Sequence, residues 1–279
     1  TPKAAPTPRI NGARVFGVRP DSKFLFTIAA TGNRPMTFSA EGLPRGLKLD
    51  PATGRITGRV KRPGEYIVRL NAENTLGRCE RDLRIIVGDE IALTPPMGWN
   101  SWNCWARDVT QEQILSSARA MVEKGLADHG WSYVNIDDGW QGRRGGQYNA
   151  IQPNEKFPDM VALTREIHDM GLRVGIYSTP WIGTYAAHIG SYSDRPDGEN
   201  EWIKKGLHNE NYRYQKPNGN YWDDRREVWH HGPYSFVDAD VKQWGEWEID
   251  YLKYDWHPLD YYHVREMHDA LRKLDRDIV

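Results

Sequence analysis

From about Met97 onward the sequence alternates between two periods, and this alternation constrains the fold more than any other feature. Compact apolar runs typical of buried strands, such as 131–136, are separated by stretches with apolar residues three and four positions apart, typical of amphipathic helices. One such stretch follows Thr110 and Gln113, which have the spacing of a helix capping box. The alternation predicts parallel strands joined by crossover helices, as in an α/β barrel.

The same patterns predict bounds for individual elements. A helix is expected to start at Pro158 and to stop at Gly171, and a strand follows over 172–177. A helix over 241–249, a strand over 251–254 and a helix around 264–274 come next. Residues 277–279 resemble the start of a further strand.

The residues before this region have a different pattern. Apolar, β-branched runs at 24–28, 66–70 and 83–87 are separated by turn clusters, without a helical period, which predicts a β-sandwich. Residues 1–91 carry 16 basic and 9 acidic side chains, a net of +7, whereas 92–279 carry 21 and 29, a net of −8. All 12 tryptophans lie in the second part. We therefore predict a loose segment at 1–12, a sandwich at 13–91 and a second domain at 92–279.

Composition excludes several classes of protein. A net charge of −1 argues against nucleic-acid partners held through phosphate contacts. No apolar run reaches the roughly 18–20 residues needed to span a bilayer. Two cysteines, Cys79 and Cys104, are too few for a disulfide-dense fold or a four-cysteine zinc site. The pairs His230-His231 and Asp223-Asp224 match the spacing of no known metal site, so no metal is predicted.

Polar and aromatic side chains follow the ends of the predicted strands. In a parallel barrel the carboxyl ends of the strands share one rim, where active sites are built. The residues expected to converge there are Trp99, Asp137, Asp138, Tyr177, Lys253 and Asp255. Such a group suits glycosyl transfer, in which one carboxylate attacks the anomeric carbon and a second protonates the leaving oxygen. Lysine and carboxylates hold sugar hydroxyls, and aromatic side chains wall the pocket.

Four motifs occur in order: Met97-Gly98-Trp99-Asn100-Ser101-Trp102, Asp137-Asp138-x-Trp140, Gly175-Ile176-Tyr177-Ser178 and Tyr251-Leu252-Lys253-Tyr254-Asp255. Together they resemble glycoside hydrolase family 27, the α-galactosidase and α-N-acetylgalactosaminidase family. The resemblance spans about 93–279, and the run 42–58 resembles the immunoglobulin-like module appended to many bacterial extracellular enzymes. It implies a (β/α)8 barrel of which this chain holds the N-terminal part, a retaining glycosidase that needs no cofactor, and an extracytoplasmic location.

Roles follow from the family motif by motif. The resemblance implies that Asp255 is the nucleophile and that Lys253 binds a ring hydroxyl. It implies that Asp137 and Asp138 bind the hydroxyls at carbons 4 and 6 of a terminal galactose-like sugar, while Trp99 lines the pocket and Tyr177 forms its wall. Trp181 is predicted to contact substrate as well. It opens a long aromatic segment over 181–236, which we interpret as a lid, a platform for further sugar units, or a self-packed loop.

The sequence departs from the family in three respects. Gly139 and Thr179 stand where cysteines are common, so Cys104 is expected to be a small buried residue without a disulfide partner. The segment 181–236 is unusually long. The acid/base aspartate of the family follows its sixth strand, and no residue here matches it. Residues 92–279 number 188, whereas such barrels need about 250. We therefore expect a portion of a longer polypeptide, or a barrel that another chain completes.

Three alternatives remain at this stage. The protein binds carbohydrate without turning it over, or it hydrolyses a related glycoside such as a β-L-arabinopyranoside or an isomalto-oligosaccharide. In the third alternative, the N-terminal module attaches the enzyme to polysaccharide or to the cell surface. The basic excess of that module indicates either an anionic partner or, as we favour, a scattered solvated surface.

Overall fold

Alternating apolar side chains build the first domain in the computed structural model, which describes residues 4–200 and 228–279. Val68, Leu70 and Ala72 in one long strand are buried, as are Leu83 and Ile85 in its antiparallel neighbour. Their spacing of two places them on one face, as expected for strands that cover a core. The strands of this domain are β1 (Arg9–Ile10), β2 (Val15–Val18), β3 (Lys23–Thr27), β4 (Ala30–Thr31), β5 (Thr37–Glu41), β6 (Leu47–Leu49), β7 (Arg55–Arg59), β8 (Gly64–Asn74) and β9 (Gly77–Val87).

Two sheets form the predicted sandwich. One has the order β2-β9-β8-β5 and the other the order β3-β7-β6, while β1 pairs with β4. Ile10 in β1 is buried in the core, so the ordered part begins earlier than the loose segment 1–12 predicts. The sandwich is confirmed, and the domain bounds at 13, 91 and 92 stay a prediction.

A parallel sheet forms the core of the second domain. Its strands are β10 (Gly98–Asn100), β11 (Tyr133–Asn135), β14 (Arg173–Ser178) and β17 (Tyr251–Tyr254), and they lie side by side in chain order. Val279 continues the pattern, since its N–H donates to Asp250 and its carbonyl accepts from Leu252. This is the arrangement expected for consecutive strands of a (β/α)8 barrel.

The described helices follow the strands of this sheet in the chain, and three of them begin at a residue whose side chain caps the helix. They are α1 (Trp102–Trp105), α2 (Gln111–Glu123), α3 (Met160–Asp169), α4 (Val237–Glu246) and α5 (Tyr261–Arg272). The capping box of Thr110 and Gln113 is present. Helix α3 begins two residues after Pro158 because Asp159 caps it, and α4 begins four residues before the predicted 241. No helix of the described residues is long and apolar enough to cross a membrane.

Two short strand pairs interrupt the alternation and were not predicted. The hairpin of β12 (Gln141–Gly145) and β13 (Ala150–Pro153) follows the aspartate pair. It is held to α4 by Arg144 and Asp240, whose buried side chains lie 2.7 Å apart. The second pair, β15 (Tyr192–Ser193) with β16 (Tyr234–Ser235), ties together the two ends of the segment 181–236. The predicted features Trp202, Tyr221, Trp222, Asp223 and Asp224 lie outside the described residues.

The first domain covers the base of the parallel sheet, meaning the amino ends of its strands and the turns that lead into them. A crevice of about 940 Å³ lies between the domains and is lined by residues of both, among them Phe16, Leu93 and Arg173. Its lining includes none of the six side chains predicted to converge at the rim. The six side chains of the candidate site lie instead at the opposite end of the strands.

Candidate active site

The rim, formed by the carboxyl ends of β10, β11, β14 and β17, gathers the charged residues that the sequence places there. The Lys253 ammonium lies 2.9 Å from Asp137 Oδ2 and 3.6 Å from Asp255 Oδ2. Residues 116 positions apart in the chain thus meet in one cluster. Asp255 follows β17 directly, and its N–H donates to the carbonyl of Ser178 at 3.0 Å, which fixes it beside the end of β14.

Asp137 is held by hydrogen bonds to three other residues. Its side chain is 2% exposed, and Oδ2 accepts hydrogen bonds from Asn100 Nδ2 at 2.7 Å and from Lys253. Its own N–H donates to the hydroxyl of Ser101 at 2.9 Å. Asn100 and Ser101 belong to the Trp-Asn-Ser motif, but the sequence alone assigned neither of them a role.

Asp138 is buried and is held by the segment that follows β14. The Thr184 hydroxyl donates to Oδ1 at 2.8 Å, and the N–H of Ala186 donates to Oδ2 at 2.7 Å. Burial raises the pKa of Asp138 to about 7, although both hydrogen bonds oppose the shift. The neighbouring Asp137 raises this pKa further. A buried carboxyl group whose pKa is raised this far is more common at functional sites than elsewhere.

Tyr177 and Lys253 face each other across the cluster. The ammonium lies 5.0 Å from the centre of the tyrosine ring, a cation–π distance. Burial opposes the charge of Lys253, but the hydrogen bond to Asp137 and the nearby carboxylates raise its pKa overall, so the lysine stays protonated. Burial and the same carboxylates raise the pKa of Tyr177 well above its usual value.

The Tyr177 hydroxyl offers a donor to a ligand. It is buried and makes no hydrogen bond of normal length to a described residue, although a weaker contact with the Asp255 carboxylate contributes to its raised pKa. A buried hydroxyl without a full hydrogen bond is costly, so its presence beside three carboxylates is explained if a polar ligand supplies a better partner.

The two tryptophans predicted to touch substrate differ in setting. Trp99 is half-buried in β10 and packs against the apolar core. Trp181 is only 5% exposed, because its indole is stacked on Trp229 at 5.8 Å and contacts the edge of Tyr185. Trp181 therefore supports this aromatic cluster, and its direct contact with substrate stays a prediction.

One cluster in the described parts of the chain could be considered for a metal. His231, Asp260 and His263 bring donor atoms within 4.8 Å of one another. Asp260, however, caps α5 by accepting from the N–H of His263 at 3.0 Å. The two imidazoles are stacked 3.6 Å apart and 11° from parallel, so their in-plane lone pairs do not meet at one point. The cluster is explained as a helix cap. His230 pairs instead with Asp194 at 3.0 Å.

The absence of a cysteine at position 139, where the family commonly has one, has a structural reason. Gly139 has φ +117°, and a Cβ there would lie 2.7 Å from the carbonyl oxygen of Arg107. A cysteine does not fit this backbone. Cys79 and Cys104 are both free thiols. The expectation that Cys104 is buried is wrong: it lies in the one-turn helix α1, which buries none of its side chains.

Comparison with known proteins agrees with this geometry. Residues 94–197 match a family model described as "Alpha galactosidase A", and residues 7–87 match one described as "Putative Ig domain". Over these residues the chain is similar to α-galactosidases and to immunoglobulin-like domains. The resemblance to glycoside hydrolase family 27, preceded by an immunoglobulin-like domain, is thus confirmed.

Individual relatives support the same conclusion. A "putative alpha-galactosidase" from Bacteroides fragilis superposes with a TM-score of 0.80 at 35% identity, over 100% of this chain and 52% of that one. A second Bacteroides fragilis structure, a "putative alpha-galactosidase/melibiase", gives 0.79 at 36%, over 99% and 52%. A "Probable alpha-galactosidase" of Dictyostelium discoideum is 35% identical over 45% of this chain and 36% of its own length. The α-galactosidase-like chain thus spans about half of the two solved relatives and about a third of the curated one.

The segment after β14 supplies residues that sequence reasoning missed. Thr184 and Ala186 hold Asp138, and the indole N–H of Trp229 donates to the Thr184 carbonyl at 3.1 Å. The excess of aromatic residues pointed to this segment, but nothing in the sequence pointed to its contact with the aspartate pair.

Proposed function

We propose that the protein is a retaining glycoside hydrolase that releases a terminal α-galactose-like residue from an oligosaccharide or polysaccharide. The observation that carries this proposal is the cluster of Asp137, Lys253 and Asp255 at the rim, joined by contacts of 2.9 and 3.6 Å. The α-galactosidase-like relatives favour the same substrate class.

In this mechanism an oxygen of Asp255 attacks the anomeric carbon, and the bond from that carbon to the leaving oxygen breaks. A carboxylic acid roughly 5–5.5 Å away protonates the leaving oxygen, and the resulting carboxylate then activates the water that releases the sugar from Asp255. No residue of the described chain is assigned to this acid/base role. The side chain of Asp255 is 35% exposed and lies beside the Lys253 ammonium, so a ligand at the rim can reach this carboxylate.

The remaining groups suit recognition of the sugar. Asp137 and Asp138 accept from hydroxyls, Lys253 donates to one, and the Tyr177 hydroxyl is available as a further donor. Trp99 and Tyr177 supply apolar walls.

The test uses the full-length protein and a 2-fluoro-galactoside with a good leaving group. We expect the covalent label on the peptide that contains Asp255, and we expect Asp255→Asn to abolish both labelling and turnover. Asp269→Asn is the matched control, because Asp269 is a half-exposed aspartate on α5 that pairs with Arg265 at 2.8 Å. A label on any other carboxylate excludes Asp255 as the nucleophile.

A panel of nitrophenyl glycosides separates the related substrates. Hydrolysis of the α-galactoside supports the proposal, whereas preference for the β-L-arabinopyranoside or an isomalto-oligosaccharide would show that the substrate is a different glycoside. Galactose binding without hydrolysis of any glycoside would favour a carbohydrate-binding protein. This alternative is considered because no described residue is assigned to the acid/base role. An extracytoplasmic location is part of the proposal, supported by the immunoglobulin-like domain, and fractionation of the producing cells tests it.

A further inference from the structure

The immunoglobulin-like domain contacts the turns at the base of the sheet that lead from the helices into the next strands. Before β11, Asn11 donates to the carbonyl of Asp128 at 2.9 Å, and Arg34 pairs with the Asp128 carboxylate at 2.8 Å. Before β17, Lys23 pairs with Glu248 at 2.5 Å. These contacts lie at the amino ends of the strands, on the side opposite the rim.

Helix α3 ends against the same domain. The Thr27 hydroxyl donates to the Gly171 carbonyl at 2.7 Å, and Arg55 donates to the Asp169 carbonyl at 2.7 Å. The last carbonyls of a helix lack partners within the helix and carry the negative end of its dipole. The Arg55 guanidinium therefore satisfies the last carbonyl of α3, as a capping side chain does within a single helix, while Thr27 fixes the turn at Gly171.

Arg19 makes the densest set of contacts. It donates to the carbonyls of Arg272 at 2.9 Å and Leu274 at 3.0 Å, and also to the carbonyl of Arg276. Its guanidinium pairs with Asp277 at 2.5 Å, and its backbone N–H donates to the same carboxylate at 2.9 Å. The side chain is 15% exposed. One arginine thus fixes the whole turn after α5.

This turn is connected to the strand that carries the candidate site. Arg276 donates to Asp250 Oδ1 at 2.9 Å, and His168 lies 2.7 Å from Asp250 Oδ2. Asp250 also accepts from the N–H of Val174 in β14 at 2.9 Å, and it directly precedes β17, which ends at Asp255. A continuous set of hydrogen bonds therefore runs from Arg19 to the base of β14 and β17.

The charge asymmetry of the sequence fits this arrangement. The first 91 residues carry a net +7 and the remainder a net −8, and Arg19, Lys23, Arg34 and Arg55 all face carbonyls or carboxylates of the second domain. Part of the basic excess of the first domain thus pairs with the second domain of the same chain. Electrostatic complementarity of this kind fixes orientation and register between two surfaces.

We propose that the immunoglobulin-like domain is a structural support for the barrel domain, which holds the base of β14 and β17 through Arg19 and the turn 272–277 and thereby fixes the strand of Lys253 and Asp255. The proposal rests on contacts at the base and does not depend on the identity of the sugar.

The test compares Arg19→Ala with Arg84→Ala in the full-length protein by hydrogen exchange and calorimetry. Arg84 is the matched control, because it makes an ion pair of 2.7 Å within the first domain, with Glu65. The backbone amides of Asp250, Leu252 and Val279 report on the base, since each donates to a neighbouring strand. In Arg19→Ala we expect their exchange to accelerate at least about tenfold through local opening, with a lower melting temperature.

Arg84→Ala should leave exchange at these three amides unchanged. If Arg19→Ala fails to fold, Arg19→Lys keeps the charge but loses the planar fork, and we expect an intermediate acceleration. Equal exchange at the base in the Arg19 and Arg84 variants would overturn the proposal. Because neither measurement requires sugar, its failure is distinguishable from failure of the proposed glycosidase activity.

Discussion

Replacing Asp138 by asparagine should change the pH dependence of stability in a defined way. The pKa of this carboxyl is about 7 in the folded protein against a usual 3.8, mainly because burial disfavours the charged form. A folded pKa above the unfolded one means that the folded state holds the proton more tightly. The wild-type protein therefore loses stability as pH rises from about 4 to 7, and the loss is complete above pH 7.

The magnitude follows from the shift. About 1.4 kcal/mol per pH unit over roughly three units gives about 4 kcal/mol, which the asparagine variant does not lose. The variant keeps an acceptor for the N–H of Ala186, but its amide N–H₂ faces the Thr184 hydroxyl, which should cost about 1 kcal/mol. Asp138→Asn should thus be less stable than wild type near pH 4 and about 3 kcal/mol more stable at pH 8.

Urea unfolding of both proteins at pH values from 4 to 8.5 provides the assay. The difference in unfolding free energy isolates residue 138, because other titrating groups are common to both. Thr184→Val is a second variant: since the hydroxyl donor lowers the pKa of Asp138, removing it should extend the wild-type slope to higher pH. A wild-type minus Asp138→Asn difference that is constant across the range would refute the reasoning.

Three further predictions use the same measurement. Lys253→Met removes the cation beside a buried carboxylate, and we expect a loss of about 1–3 kcal/mol together with weaker galactose binding; unchanged affinity would argue against a role in recognition. Arg144→Met leaves Asp240 buried and unpaired, and we expect a loss of about 3–5 kcal/mol; a loss below 1 kcal/mol would show that the pair is dispensable. His168→Gln concerns Asp250, whose pKa burial tends to raise but the His168 hydrogen bond and charge hold below its usual value. A carboxyl group whose folded pKa is lowered contributes stability above its unfolded pKa, and this contribution is lost as the pH falls through the folded pKa. The variant should therefore unfold at a higher pH during acid titration. An unshifted midpoint would contradict this account.

The sequence predicted the order of elements well and their ends less well. Strand β17 was predicted to the residue, because two tyrosines and a leucine around Lys253 are bounded by Asp250 and Asp255. Helix α4 was placed four residues too late, since Asp238 and Asp240 in its first turn break the apolar pattern. The hairpin of β12 and β13 escaped notice because its arginine and glycine residues lack the alternation of a strand.

For the site, the sequence predicted which residues gather but not what holds them. Topology alone brings Asp137, Lys253 and Asp255 to one rim, because parallel strands share their carboxyl ends. The contact of Thr184 with Asp138 depends on the path of a loop, and the burial of Trp181 depends on how Trp229 returns to cover it. Neither follows from any local period, since both join segments of irregular structure.

Asp250 and Asp138 lie at opposite ends of the sheet and are treated differently, and the difference separates support from function. Asp250 at the base receives a histidine, an arginine and a backbone donor, which together hold its pKa below the usual value although burial tends to raise it. Asp138 at the rim receives only uncharged donors, and the charge of Asp137 raises its pKa more than Lys253 lowers it, so burial prevails. A stable fold needs no such group, because a neutral side chain would cost less at neutral pH. The structure thus tolerates an uncompensated acid where the sugar is proposed to bind and compensates the equivalent acid where the immunoglobulin-like domain supports the strands.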